Sequence, residues 1–250
     1  ALLRAYLVVC YCGRKVPLAG GSGIPQVKGE MKGQIEQNWW QIILAKFAGG
    51  IGAIGAGLSL GREGPSIQLG AMVGKGFSRL TNKLRTEEKM LMTCGAGAGL
   101  AGAFSAPLAG VVFSLEELHK NFSTDILLST MAASVTSDFV SSYIFGLSPV
   151  FGLHIAGRLP LSRYWMVILL GLVLGVFGVF YNWMTSFVQD LYDKLPRKFM
   201  RVAVPFLCVA VLAACYPYVL GSGHGIVAEV ARGDFAIKAL LILLAVKFLF

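Results

Sequence analysis

The chain has 250 residues, of which 56% are hydrophobic and only 14% are charged, and its mean hydropathy is +0.69. It is more apolar than an ordinary soluble domain, so the composition excludes a typical soluble protein. The net charge of +9 would suit a nucleic-acid partner in a soluble chain, but in membrane proteins basic residues collect in cytoplasmic loops. We therefore expect an all-α integral membrane protein that binds no nucleic acid.

The predicted elements are membrane helices, because a lone strand cannot satisfy its backbone hydrogen bonds in lipid. Three uncharged runs, 90–115, 164–189 and 202–228, each exceed the roughly 20 residues that span a hydrocarbon core. In chain order, we expect helices over 1–12, 38–60, 87–104, 107–118, 126–145, 164–188, 201–220 and 235–250, and another that follows "GREGP". Since both ends fall inside apolar segments, we expect a piece of a longer protein.

Basic residues predict the orientation of these helices. One cluster comprises Lys75, Arg79, Lys83, Arg85 and Lys89, and a second comprises Lys194, Arg197, Lys198 and Arg201. The segment 146–163 holds only Arg158 and Arg163 as charged residues. We therefore expect both clusters on the cytoplasmic side and 146–163 as an extracellular loop.

The cysteines and histidines give no sign of a metal or redox site. The five cysteines are odd in number and lie in apolar segments, so we interpret them as free thiols. His119, His154 and His224 are dispersed along the chain. We expect no disulfide framework, no metal and no cofactor.

An internal repeat is the most informative feature of the organisation. Gly21-Ser22-Gly23 recurs as Gly221-Ser222-Gly223, and "LAKF", which contains Lys46, recurs as "AVKF", which contains Lys247. Transporters are often built from two such halves, with the substrate site between them at broken helices. We expect residues 1–145 to form most of the first half and 164–250 to begin the second.

Glycine-proline breaks interrupt the membrane helices at "GSGIP" and "GREGP". Proline suits the first turn of a helix, and a helix that starts inside the membrane directs unpaired N–H groups at an interior space. Such a space attracts an anion, the glycines let bare backbone approach the ion, and Ser22 adds a hydroxyl donor. The alternative for each break is a simple kink in a membrane helix.

Glu63 carries a carboxylate at the start of the second broken helix. An intramembrane carboxylate is costly and indicates function. When ionised it can occupy the anion site itself, and when protonated it gives way to the ion, so it can link anion occupancy to protonation. The neighbouring Arg62 either tunes this field or is a snorkelling or paired arginine.

Three stretches, "GSGIP", "GREGPSIQLGA" and "GAGLAGAFSAPLAGVVFSLEEL", resemble the CLC family of chloride channels and chloride/proton exchangers. The resemblance implies a multi-pass homodimer of the cell membrane, with one anion pathway per subunit and two inverted halves. It implies that Ser22 binds the central anion together with Gly23 and Ile24, and that Glu63 is the gating and outer proton-transfer group. The implied selectivity-filter motifs are Gly21, Ser22, Gly23, Ile24 and Pro25, and Gly61, Arg62, Glu63, Gly64 and Pro65. Within the family, a serine in "GSGIP" goes with a preference for chloride.

A second carboxylate follows in "SLEEL". The resemblance implies that Glu117 is the inner proton-transfer group, which exchangers carry and many channels lack. The residues themselves agree on its location, because Glu117 ends an apolar helix before "HKNFSTD", a segment that we expect inside. Glu116 and Glu117 point about 100° apart on a helix, so at most one faces the interior. The alternative is that both are solvated helix-end charges.

Other residues permit weaker interpretations. Lys46 and Lys247 either add positive potential to the anion pathway or serve as snorkelling or structural cations. For Asp138, which lies in an otherwise apolar helix, we expect a hydrogen bond to a neighbouring helix. Close helix packing is predicted by small residues four apart, at Gly57/Gly61, Gly70/Gly74, Gly95/Gly99 and Gly171/Gly175.

The leading functional hypothesis is a chloride/proton antiporter whose partners are chloride, protons and membrane lipid. The runner-up is a passive, voltage-gated chloride channel of the same family, against which Glu117 counts. A different hypothesis is a dinucleotide-binding enzyme. It rests on "GAGLAG", residues 97–102, which matches the dinucleotide fingerprint but lacks the strand that must precede it. A receptor or scaffold would give no reason for helix starts buried around a carboxylate.

Overall fold

A computed structural model describes residues 2–120, 122–146, 160–195, 198–215, 217–231 and 236–249, and within these ranges every regular element is helical. Most of the predicted loop 146–163, including Arg158 and His154, lies outside the described residues, as does Arg197. The helices are α1 (Leu2–Lys15), α2 (Ile24–Met31), α3 (Trp39–Gly55), α4 (Glu63–Leu80), α5 (Arg85–Phe104), α6 (Pro107–Phe113), α7 (Thr124–Phe145), α8 (Tyr164–Asp193), α9 (Lys198–Cys215), α10 (His224–Ala231) and α11 (Ile237–Leu249).

Several boundaries differ from the sequence expectation. Helix α3 ends at Gly55 rather than at 60, because Gly57 adopts a left-handed φ of 94° that takes the chain out of the helix. Helix α6 continues as a π-helical segment, Ser114–His119. Of the three long uncharged runs, only 164–189 lies within a single helix. The run 90–115 breaks at Ser105, whose φ is +52°, and 202–228 contains a 3₁₀ turn, Pro217–Val219.

One described segment, Leu161–Asp193, is long and apolar enough to cross a membrane by the tests of length and composition alone. Its mean hydropathy is 2.2, and none of its helical residues is buried. Aromatic rings attach α8 to α11, where Phe180 stacks on Phe248 with centroids 5.3 Å apart.

The main hydrophobic core lies among α2, α3, α4, α5 and the π-helical segment. Val27, Ile42, Ile67, Met72 and Met92 contribute fully buried side chains to it. The amphipathic pattern of each helix turns these side chains toward the others, and their burial is the main stabilising contribution here.

Glycines allow α4 and α5 to cross with their backbones in contact. A Cβ atom added at Gly70 would overlap the carbonyl oxygen of Gly95, and one added at Gly95 would overlap that of Gly70. Added Cβ atoms at Gly74 and Gly99 would likewise overlap backbone oxygens of the facing helix, which confirms the predicted packing role of Gly70/Gly74 and Gly95/Gly99. The Gly57/Gly61 prediction is wrong, because both residues lie in the loop after α3 rather than on a helix. At Gly171 and Gly175, nothing among the described residues comes within 4 Å of an added Cβ.

We expect Gly95→Ala to lower the melting temperature of the full-length protein, because α4 and α5 would have to separate. Overpacking of this kind costs about 1–3 kcal/mol. Gly175→Ala on α8 is the matched control: it meets open space and gains up to about 1 kcal/mol of helix propensity. Thermal unfolding in one detergent compares the two. Equal shifts would contradict the close crossing.

A second cluster joins α1 and α9 to the loop after α3. Leu58, Phe206 and Val209 are buried in it, and Tyr6 of α1 makes an edge contact with the Phe206 ring, with centroids 5.5 Å apart. The backbone N–H of Gly221 donates to the carbonyl of Gly57 over 2.8 Å. The region around the second glycine-serine loop therefore rests directly on the first part of the chain.

Candidate anion site

The loop before α2 has a shape that glycine alone adopts easily. Gly21 and Gly23 have φ values of 70° and 98°, both left-handed. A Cβ at Gly23 would lie 2.7 Å from the side chain of Gln68 on α4, so this position also requires the absence of a side chain. Pro25 lies in the first turn of α2, where its missing N–H leaves no partner unsatisfied.

Helix α4 begins at Glu63, directly against the same loop. A Cβ at Gly64 would overlap the Ser22 carbonyl, so only glycine lets the two breaks meet. The contact brings together the N-terminal ends of two helices, each with unpaired N–H groups and a positive dipole end.

A cavity of about 640 Å³ lies between these two helix starts. Of the predicted filter residues, it is lined by Gly21, Ser22, Gly61, Glu63, Gly64 and Pro65, and Lys46 of α3 also lines it. Gly23, Ile24, Pro25, Arg62 and Glu117 do not line the cavity. The fold therefore joins the two glycine-proline motifs in one space and leaves Glu117 outside it.

Ser22 is oriented by its own loop. Its Oγ accepts a hydrogen bond from the backbone N–H of Ile24 over 3.3 Å. A hydroxyl that accepts in this way still has its O–H to donate. Ser22 can therefore direct a donor into the cavity, as an anion requires.

Glu63 and Arg62 diverge although they are neighbours. The Glu63 carboxylate turns back toward Gly61 and makes no ion pair with any residue that the structure describes. The Arg62 guanidinium instead lies 5.2 Å from the ring centre of Phe104 on α5. This geometry favours the paired interpretation of Arg62 and leaves Glu63 as the carboxylate that lines the cavity.

Glu117 contacts the helix that begins at the anion loop. Its carboxylate forms an ion pair with Lys28 of α2, and both side chains are partly exposed. Glu116 is exposed and forms no ion pair with the described residues. Of the two adjacent carboxylates, Glu117 is therefore the one turned toward α2. Ser22 lies just before α2 and Lys28 lies within it, so this one helix connects the Ser22 loop to the ion pair of Glu117.

We expect Lys28→Met to move the pH dependence of proton transport toward higher pH. The Lys28 ammonium stabilises the Glu117 carboxylate, so the carboxylate takes up a proton only at lower pH while the pair is intact. Lys120→Met is the control, because Lys120 acts on Glu117 without a hydrogen bond and should shift the profile less. Proton flux measured against internal pH compares the variants. Identical profiles would contradict the role of the ion pair.

A buried polar network beneath the loop was missed by the sequence analysis. Gln68 donates to the Leu18 carbonyl over 3.0 Å and to Gln37 Oε1 over 2.7 Å, and Gln37 donates to Glu30 over 2.9 Å. Gln68 lies one helical turn after Gly64, on the same face of α4, which is the signal that could have found it.

Lys75 ends this network and, unlike Arg79 of the same predicted basic cluster, is buried. It is only 2% exposed and forms an ion pair with Glu30 of α2. Its Nζ also donates to the Gln37 carbonyl over 2.5 Å. Lys75 is therefore a buried structural cation. Arg79 remains in the surface cluster, where it pairs with Glu88 over 2.5 Å and with Glu36 over 3.2 Å.

Two weaker sequence interpretations can be compared with the structure. Residues 97–102, "GAGLAG", lie inside α5, so no strand precedes the dinucleotide fingerprint. Asp138 Oδ1 is buried without a hydrogen-bond partner among the described residues, so the expected bond between helices is not formed there. No group of three His, Cys, Asp or Glu side chains in the described ranges could hold a metal ion.

The fold is that of an all-helical protein with two broken helices joined at one cavity, and comparison with known proteins identifies its family. Residues 5–250 match the family model described as voltage gated chloride channel. The match covers nearly the whole chain, so the protein belongs to the CLC family of integral membrane proteins.

Named relatives within this family are exchangers. The chain is 34% identical over 238 residues to the H(+)/Cl(-) exchange transporter ClcA of Vibrio cholerae, covering 92% of this chain and 51% of the relative. Against ClcA of Yersinia pestis it is 34% identical over 251 residues, with 96% and 51% covered. The chain thus spans about half the length of these curated relatives.

Solved structures agree on the fold. A slow cyanobacterial Cl⁻/H⁺ antiporter matches with a TM-score of 0.88 and 31% identity, covering 98% of this chain and 59% of that structure. A CLC-type fluoride/proton antiporter matches with a TM-score of 0.76 over 98% of this chain and 64% of that one. At 24% identity, the second likeness bears on the fold alone.

Proposed function

We propose that the whole protein is a chloride/proton antiporter of the cell membrane. The proposal rests on the cavity at the starts of two broken helices, which is lined by Ser22, Glu63 and Lys46. Helix N-termini and a hydroxyl attract an anion with partial charges, which allows it to leave again. Glu63 is the group that competes with the anion and exchanges protons with the outer solution.

Glu117 supports antiport over passive conduction. It lies outside the cavity, in contact with α2, where it can pass protons between the cytoplasm and the interior. The named relatives are H⁺/Cl⁻ exchangers, which favours the same reaction in this protein. The serine at position 22 favours chloride as the anion.

The proposed assembly is a homodimer with one anion pathway in each subunit. Within the subunit, 1–145 forms most of one half, 146–163 an extracellular loop and 164–250 the start of an inverted second half. The repeated elements support this division: a 3₁₀ turn, Pro17–Ala19 or Pro217–Val219, precedes each glycine-serine loop, and a short helix, α2 or α10, follows it.

Reconstitution of the full-length protein into liposomes tests the reaction. With chloride concentrated on one side and no proton gradient, an antiporter drives protons toward the chloride-rich side, uphill once the pH difference has formed. We expect this movement to stop when chloride is replaced by isethionate. Chloride flux without any proton movement would instead identify a passive channel, and the absence of both fluxes would favour a scaffold.

A further inference from the structure

Lys46 holds the backbone that leads into the first glycine-serine loop. Its Nζ donates to the Gly21 carbonyl over 2.7 Å and to the Ala19 carbonyl over 3.1 Å. Carbonyl oxygens carry partial negative charge and would repel an anion. By engaging these two, the ammonium fixes the loop immediately before Ser22.

Lys247 holds the second loop in the same way. Its Nζ donates to the carbonyls of Val219 and Gly221 over 2.8 and 2.5 Å, and to Ser59 Oγ over 2.6 Å. The two lysines are therefore equivalent anchors in the two halves of the repeat. Their surroundings differ, because the cavity beside Lys247 is lined by Ser222 and Gly223 and contains neither Ser22 nor Glu63.

Within the part of the chain that the structure describes, the Lys46 ammonium has no ion-pair partner. The residue is 6% exposed, and no carboxylate oxygen among the described residues lies within 4 Å of its Nζ. A buried charge is costly unless it is paired. Since Lys46 lines the cavity with Ser22 and Glu63, a negative charge inside that cavity would lie close to its ammonium.

We propose that Lys46 is a positioning residue of the anion site and its fixed counter-charge. The ammonium binds the loop carbonyls, so that these oxygens do not face the anion. Its positive charge balances a bound halide, or the Glu63 carboxylate when that group occupies the site instead. Lys247 anchors its own loop in the same way but does not act as a counter-charge to the bound anion. This inference rests on the proposed anion site and adds the cation that balances it.

The test compares Lys46→Gln with Lys247→Gln in the full-length protein, by calorimetric titration with sodium chloride in an isethionate background. Glutamine retains N–H donors for the carbonyls and removes the charge. We expect Lys46→Gln to raise the chloride Kd about tenfold or more, as loss of one nearby fixed charge should. Lys247→Gln and the exposed Lys238→Gln should stay within about threefold of the parent, and Lys46→Arg should restore binding.

Unchanged chloride affinity in Lys46→Gln would overturn the inference and leave Lys46 as an anchor only. If Lys46→Gln does not fold, Lys46→His in a Glu63→Gln background gives a second test, because histidine gains charge between pH 8 and pH 5. Chloride binding should then strengthen with acidification more than in Glu63→Gln alone, and equal pH dependence would overturn the inference. A parent protein that binds no chloride would contradict the proposed function itself.

Discussion

Replacing Glu63 by alanine is expected to abolish proton transport while chloride continues to flow. The carboxylate stands at the first residue of α4 and lines the cavity with Ser22, where N–H groups attract either the carboxylate or an anion. Without it, nothing links anion occupancy to protonation. We expect proton flux to fall about 100-fold or more, as when a positioned acid–base group is lost.

Paired chloride and proton fluxes in liposomes measure this effect. Glu63→Gln retains the size and polarity of the side chain but cannot ionise, so it should lose proton flux to the same extent. Glu36→Ala removes an exposed carboxylate that pairs with Arg79 and should transport both ions normally. Persisting proton coupling in Glu63→Ala would show that another group carries the outer proton.

Replacing Glu117 by glutamine is expected to remove proton flux while chloride flux remains. Glu117 does not line the anion cavity, so its loss leaves the chloride path intact. It is the carboxylate turned toward α2, where Lys28 holds it. The expected fall in proton flux is again about 100-fold, because a single acid–base group is lost.

The neighbouring carboxylate offers a matched control. Glu116→Gln changes the same charge one residue earlier, at an exposed position without an ion pair among the described residues. It should leave both fluxes unchanged. If Glu116→Gln and Glu117→Gln behave alike, the two are solvated helix-end charges, and the inner proton route lies elsewhere.

The two broken helices were predictable because their signals are local. Glycine and proline act within a few residues of themselves, so "GSGIP" and "GREGP" indicate helix starts wherever they occur. The glycines also allow bare backbone to come close. The contact between Gly64 and the Ser22 carbonyl, however, depends on how α2 and α4 pack, which local rules do not contain.

Side-chain partners across helices were the least predictable part. Lys28 and Glu117 are 89 residues apart, and nothing near either residue in the sequence points to the other. The sequence places Lys75 in a predicted cytoplasmic cluster because Arg79 and Lys83, which follow it closely, are also basic. Its burial is a consequence of Glu30, which approaches from a different helix. A single sequence shows a charge but not what it faces.

Helix ends were predicted less well where the backbone geometry changes without a proline. Helix α3 ends early at a left-handed Gly57, and α6 changes to a π-helical segment at Ser114. The π-helical segment carries Glu117, so the side-chain directions there do not follow α-helical spacing. Helical phase alone therefore left open which of the two glutamates faces inward.

The most direct test of the central claim is to locate the anion in the full-length protein. Bromide can replace chloride and be found by its anomalous scattering in a crystal. We expect a bromide peak in the cavity between the starts of α2 and α4, within hydrogen-bond reach of Ser22 Oγ, and a stronger peak in Glu63→Gln. A transporting protein whose bromide binds elsewhere, with this cavity empty in both forms, would contradict the account.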